Sequence, residues 1–164
     1  MKIFVTGNAG SGKSTLSKRL AAHHGLDWYG LDTIVWKEGW QKAPADERDK
    51  QIAQLIAKPH WVIDGVSDEI LKAADEVVFL DVPRRVSFYR VAKRNWRYLF
   101  TSRPDLPANC PEVLIIPNLV KIILRFPGRV RPKILAEKQN KDARFVHIRN
   151  NKELQAYLQS LTAN

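Results

Sequence analysis

An α/β domain, a parallel sheet covered by helices on both faces, is the fold class that this sequence predicts, and three observations point to it. Short apolar runs rich in β-branched residues alternate with segments of helical periodicity, the pattern of strands joined by crossover helices. A glycine-rich loop lies between the first such run and the first helical segment. The chain has 164 residues, 45% of them apolar, which suits one hydrophobic core and not two. A single domain over residues 1–164 is expected.

The elements follow in order. Residues 3–6 read as the first strand, running straight into the glycine loop with no sign of a secretory leader. Beyond the loop, Leu16, Leu20 and His24 fall at four-residue spacing, and Gly25 is a fitting helix stop. A weaker strand is expected at 26–29. Ile52, Leu55 and Ile56 mark a helix after Pro44, and strands are expected at 61–64 and 77–82. Phe88, Tyr89, Ala92, Trp96 and Leu99 mark a helix after Pro83. Residues 101–132 hold six of the nine prolines, so no single long helix is expected there. This stretch reads as an inserted, largely helical flap between the fourth and fifth strands. The last strand is expected at 145–148. Leu154, Tyr157, Leu158 and Leu161 then give a clean helical stripe, with Asn150 and Glu153 placed as its N-terminal cap.

Composition narrows the function classes. The single cysteine, Cys110, excludes an internal disulfide framework and suits a reducing cytoplasm. The greasiest window, 113–126, is too short for a spanning helix and contains Pro117, Lys121 and Arg125, so no membrane anchor is expected. The net charge of +10 is regional. Residues 1–83 hold 10 Lys/Arg against 12 Asp/Glu, whereas residues 84–144 hold 15 against 4. Such an excess can serve the phosphates of a small ligand or the backbone of a nucleic acid.

The chemistry starts at Gly7-Asn8-Ala9-Gly10-Ser11-Gly12-Lys13-Ser14, which matches G-x-x-x-x-G-K-[ST] at every specified position between a strand and a helix. Glycines let backbone N–H groups approach phosphate oxygens closely, and the following helix turns its free N–H groups and positive dipole end to the same anion. Lys13 supplies a point charge for the β/γ oxygens, Ser14 a magnesium ligand, and Thr15 a hydroxyl for the α-phosphate. ATP and Mg²⁺ are the implied cofactors.

Other candidates are arranged around that loop. Asp64 closes the strand Trp61-Val62-Ile63-Asp64-Gly65 and reads as a Walker-B-type carboxylate for Mg²⁺, the alternative being a turn residue. Asp32, after the second strand, is placed to take a proton from the acceptor or to orient it; an N-cap or solvated aspartate is the alternative. Asp81, just ahead of Pro83, reads as a helix cap. Arg90 and Arg94 share one helix face, and Arg103, Arg129, Arg131 and Lys133 lie in or beside the flap. Arginines closing on a transferred phosphoryl group stabilise its charge; the alternative is a solvated basic face. His23, His24, His60 and His147 lack metal-ligand spacing and read as surface or packing residues. Cys110 reads as a buried small hydrophobe, and the five tryptophans as core, with Trp36 and Trp40 following Asp32 where an acceptor would sit.

Taken together, the glycine loop, Leu31-Asp32, Ile63-Asp64-Gly65, Val78-Phe79-Leu80-Asp81-Val82-Pro83 and Arg90-x-x-x-Arg94 occur in an order that resembles the adenylate-kinase-like nucleoside monophosphate kinases. More closely, Arg103-Pro104-Asp105, Cys110-Pro111-Glu112 and Phe126-Pro127 through Arg131-Pro132-Lys133-Ile134-Leu135 resemble the bacterial DNA topology modulation protein family, P-loop proteins of that type. The resemblance implies a three-layer P-loop kinase fold with a five-stranded sheet in order 2-3-1-4-5, an acceptor-binding region at about 32–58 and a lid insertion at about 101–140. It implies that Arg90 and Arg94 serve the ATP side, that Arg129 and Arg131 are lid arginines, and that Asn150 lies near the adenine. The chain departs from the kinases in two places: Val66-Ser67-Asp68 replaces a phenylalanine, proline and arginine, and no arginine occurs at 33–45. The expected activity is ATP-Mg-dependent phosphoryl transfer to a nucleotide-like small molecule in the cytoplasm. The alternatives are a nucleic-acid-associated ATP-binding regulator using the basic 84–144 region and a kinase acting on nucleic-acid ends. A guanine-specific switch is disfavoured, because no N-K-x-D motif follows a strand.

Overall fold

The five apolar runs pair into one parallel sheet in a computed structural model of the chain, which describes residues 1–98, 100–101, 109–141 and 144–162. Its strands are β1 (Lys2–Gly7), β2 (Trp28–Gly30), β3 (Trp61–Gly65), β4 (Glu76–Leu80) and β5 (Phe145–Ile148). They lie in the order β2-β3-β1-β4-β5, as the resemblance implied. Strand side chains alternate between faces, and both faces are covered, so β1 is buried along nearly its whole length. Ile3 and Val5 point to the side closed by α1 (Lys13–His24) and α8 (Asn151–Thr162), where Leu16, Leu20, Leu154 and Leu158 pack. Phe4 points the other way, with Ile63, Phe79 and Phe145, under α3 (Ala45–Ala57) and α4 (Asp68–Ala73). Burying one such side chain contributes about 1.5–3 kcal/mol. Between β2 and α3 lie the short helix α2 (Leu31–Val35) and a two-stranded antiparallel ribbon, residues 36–37 against 41–42.

The segment between β4 and β5 departs from expectation. Its first helix, α5 (Arg84–Arg97), follows Pro83 as predicted. It buries Ser87, Val91 and Asn95, however, and leaves Tyr89, Ala92 and Trp96 exposed. The surfaces that α5 meets are the glycine loop, where Ser87 and Val91 stand against Gly10, and the start of the next helix, where Asn95 reaches the buried Glu112. Leu99, Arg103, Pro104, Asp105 and Pro107 lie outside the described residues.

The proline-rich stretch also holds a longer helix than predicted. α6 (Glu112–Arg129) runs for 18 residues through Pro117 and Pro127. Each ring deletes a helix hydrogen bond at a cost of about 3 kcal/mol, but Ile115, Ile123 and Phe126 are buried by the same helix, and that packing prevails. α7 (Arg131–Lys141) follows. Phe126 and Ile134 belong to the core beside Phe79 and Phe145, so this stretch is built into the domain. Among the described residues no helix is long and apolar enough to cross a membrane.

Candidate phosphate-binding site

β1 enters the glycine loop at Gly7, and the backbone there turns in ways that side chains oppose. Gly7 has φ +152°, and a Cβ on it would stand 2.5 Å from the carbonyl oxygen of Leu80 on the neighbouring strand. Gly10 has φ +73°, with the Ser87 carbonyl 2.6 Å from the same imagined atom. The loop is therefore pressed against β4 and α5 with no room for larger residues. Gly12, also left-handed at φ +100°, leads into α1 without any side-chain cap, so the first N–H groups of the helix have no partner inside it.

The resulting hollow fits a polyphosphate. The Ser11 hydroxyl is buried there with no hydrogen-bond partner, and the Lys13 ammonium reaches across the loop to the Asn8 carbonyl at 2.9 Å. The Ser11 N–H closes the turn onto that same carbonyl at 3.2 Å. Thr15 is exposed on the first turn of α1.

Ser14 and Asp64 come together at the mouth of the loop, the hydroxyl donating to Asp64 Oδ2 at 2.5 Å. Asp64 is almost fully buried, and burial pushes its carboxyl above the ordinary value of 3.8; the Ser14 hydrogen bond and the Lys13 charge oppose that rise, while Asp32 adds to it. Gly30 lies opposite Asp64 in the sheet, and any Cβ on it would come within 3.2 Å of Asp64 Oδ1. These two oxygens suit a hard cation that completes its shell with water and phosphate oxygens. No group of three His, Cys, Asp or Glu side chains gathers among the described residues. Asp32 stands exposed in the first turn of α2, whose N-cap position is Gly30. The cap alternative for Asp32 therefore does not hold.

The arginines divide between two places. Arg90 donates from Nη1 to the Ser11 carbonyl at 2.8 Å and so braces the loop from α5. Arg94, one turn further along, lies 3.6 Å from Glu112, whose carboxylate is fully buried at the start of α6. With its amide oriented to donate, Asn95 reaches Glu112 Oε2 at 2.8 Å and the Val91 carbonyl at 3.2 Å. Arg131 instead grips Asp81, through Nε at 3.0 Å and Nη2 at 2.9 Å. Arg129 is exposed at the end of α6.

The cap expected of Asp81 is not formed. α5 starts after Pro83 without a side-chain cap, and the Asp81 carboxylate takes Arg131 and, at 2.9 Å, His147 Nε2. Burial alone would raise this carboxyl, but the hydrogen bonds from Arg131 and His147 outweigh it and hold the group below its ordinary value. His147 also stacks on Phe79, with ring centroids 5.2 Å apart.

Asn150 caps α8 as predicted: its Oδ1 accepts from the Glu153 N–H at 2.9 Å and its Nδ2 donates to Glu153 Oε1. Cys110 is buried, as expected, against the Trp40 N–H and the Lys37 carbonyl. The Trp40 indole donates to the Pro111 carbonyl at 2.8 Å, which joins the 36–42 ribbon to the start of α6. Trp40 and Trp36 meet edge to face, Trp61 is core, and Trp96 is exposed, against its assignment to the core.

Sequence reasoning missed three partnerships: Asp81 with Arg131 and His147, Glu112 with Arg94 and Asn95, and Asn8 with the Ile123 carbonyl at 3.1 Å. The first two bind residues 17 to 66 positions apart, and the third crosses 115. The one available signal was Cys110-Pro111-Glu112, whose carboxylate reads as an ordinary first-turn charge until α5 is packed against it.

Comparison with known proteins agrees with this fold. A family model described as AAA domain, AAA_18, matches residues 3–98. The cytidylate kinase of Pyrococcus horikoshii is 33% identical over 108 residues, which cover 56% of this chain and 56% of that protein. The chain thus spans about half the length of the curated relative it matches. Among solved structures, a shikimate kinase from Acinetobacter baumannii in complex with shikimate superposes with a TM-score of 0.55 at 21% identity, over 99% of this chain and 93% of that one. A shikimate kinase from Bacteroides thetaiotaomicron gives 0.55 at 18% identity, over 98% and 95%.

Proposed function

The chain belongs to the AAA domain family AAA_18, and from that premise we propose that it is an ATP-Mg²⁺-dependent phosphotransferase acting on a nucleotide-like small molecule. The observation that carries this reading is the Gly7 to Ser14 loop, an uncapped helix start with a buried, unpartnered Ser11 hydroxyl, set beside the Ser14–Asp64 pair. The kinase names of the curated relative and of the solved structures support the reaction class, and the sheet order supports its scaffold.

In this reading the amides of Gly10, Gly12, Lys13, Ser14 and Thr15 hold the donor phosphates, while those of Ala9 and Ser11 close the loop on Asn8. Lys13 exchanges the Asn8 carbonyl for the β/γ oxygens. Ser14 and Asp64 would hold magnesium, which would supply positive charge to the phosphates. Asp32, on α2, takes the proton of the acceptor as its oxygen attacks the γ-phosphorus, and the bond from that phosphorus to the bridging oxygen breaks, so that ADP leaves with the oxygen. Arg90 keeps the loop in shape, and Arg129, joined by Arg94 and Arg131 once they leave Glu112 and Asp81, supplies positive charge around the transferred group. Asn150 marks the adenine end beyond β5. The acceptor enters between α2, the 36–42 ribbon and α3, over about 32–58, and the 101–140 insertion excludes water.

Lys13→Ala is the direct test. The variant should keep the wild-type thermal midpoint and lose ADP release by at least about 10³-fold in a screen of nucleoside monophosphates, nucleosides and sugar acids. Turnover equal to wild type would refute the site.

One observation favours a second reading, a nucleic-acid-associated regulator of the kind suggested by the DNA topology modulation resemblance. Tyr89 and Trp96, 67% and 83% exposed, lie on the outward side of α5, with exposed Arg85 ahead of them and exposed Lys93 between them, and Phe100, 81% exposed, follows just beyond the helix. Exposed rings interleaved with cations suit stacked bases and their phosphates. Titration with single-stranded and duplex DNA at two salt concentrations tests this: tight binding at low salt that weakens steeply with added salt supports it, and no binding at low salt removes it.

A further inference from the structure

We propose that Pro127 is a positioning residue for the phosphate loop, acting through the Ile123 carbonyl and the Asn8 side chain. The inference rests on the reading of that loop as a nucleotide site.

Proline has no N–H, so Pro127 cannot donate to the carbonyl of Ile123, four residues earlier in α6. Its ring also crowds that carbonyl and tips it outward from the helix. Ile123 is fully buried, a setting in which an oxygen without a donor is unfavourable. Asn8 provides the donor, with Nδ2 3.1 Å from the Ile123 oxygen.

The other end of the same amide faces the loop, where Asn8 Oδ1 accepts from the Ala9 N–H at 2.8 Å. Asn8 is itself buried, so the amide is held between helix and loop with its orientation decided by the donor end. The Asn8 backbone carbonyl in turn receives Lys13 Nζ and the Ser11 N–H. A helix carbonyl left open by a proline thus anchors the residue around which the loop closes. The proline weakens its own helix and completes a contact elsewhere, an arrangement met where local rules yield to a functional site.

Pro127→Ala tests the inference. Alanine restores the helical hydrogen bond, draws the Ile123 carbonyl back and frees Asn8. The thermal midpoint should stay level or rise, while affinity for a non-hydrolysable ATP analogue, read by calorimetry, falls about five- to tenfold, the effect of one buried hydrogen bond. Amide hydrogen exchange at residues 8–12 should quicken. Asn8→Ala added to Pro127→Ala should change affinity less than about twofold further, because both act along one chain of contacts. Wild-type affinity and wild-type loop exchange in Pro127→Ala would overturn the proposal, as would losses that multiply in the double variant. A joint fall of midpoint and affinity would also overturn it, since that marks a merely structural role. If Asn8→Ala does not fold, Pro127→Ala decides by itself. A wild-type chain that binds no nucleotide would refute the proposed function, and loop exchange in Pro127→Ala would still decide the inference.

Discussion

Asp64 is the residue at which stability and function pull in opposite directions. Burial pushes its carboxyl above 3.8, so the folded chain holds the proton more tightly than the unfolded chain does. Stability from this group is therefore full below about pH 4 and declines as pH rises through the folded-state value. Asp64→Asn keeps an acceptor for the Ser14 hydroxyl and removes the buried charge. We expect the ligand-free variant to melt higher at pH 7, by about 2–4 °C for each kcal/mol relieved, with a smaller gain at pH 4. Phosphoryl transfer should be lost at the same time if, as proposed, this carboxylate holds magnesium. Calorimetric scans at the two pH values, with an ADP-release assay, check both halves; a lower midpoint at pH 7 would contradict the account. Trp40 shows another local tension. Its backbone lies at φ +59°, in the left-handed region that side chains disfavour, held by the indole bond to Pro111 and the N–H contact to Cys110.

At the scale of elements, β4, β5 and α7 meet in one cluster, because Asp81 at the end of β4 holds Arg131 of α7 and His147 of β5. Arg131 and His147 outweigh burial and depress the Asp81 carboxyl, so its stabilising contribution is present above pH 3.8 and is lost as pH falls through the lower, folded value. Asp81→Asn should thus unfold at lower urea than wild type at pH 7. The gap should narrow below about pH 4 and close once the wild-type carboxyl is protonated. A gap that persisted unchanged into acid would show that Asp81 stabilises by some route other than its charge. The same cluster sets α7 against the sheet, and the ribbon-to-α6 contact at Trp40 and Pro111 fastens the other end of the insertion.

For the whole molecule, what could be read from the sequence was whatever depends on neighbours along the chain. Alternating apolar runs mark the five strands, since a strand buried on both faces must be apolar throughout, and the Asn150 cap is a contact over three residues. The loop at 7–14 was legible for the same reason: tight left-handed turns exclude side chains, so glycine spacing is itself the imprint of a backbone pressed against β4 and α5. The face of α5 was not legible, because hydrophobic periodicity predicts the buried side only when the covering surface is apolar, and here that surface is a polar loop together with the buried carboxylate of Glu112. Nor was the length of α6, where buried isoleucines and a phenylalanine override two prolines. Whether Asp81 caps a helix or holds Arg131, and whether Glu112 lies in water or fully buried beneath α5, depends on which helices come to rest beside them. Such partners are far apart in sequence, and only packing brings an arginine to a strand end or an asparagine to a carbonyl that a proline has left open.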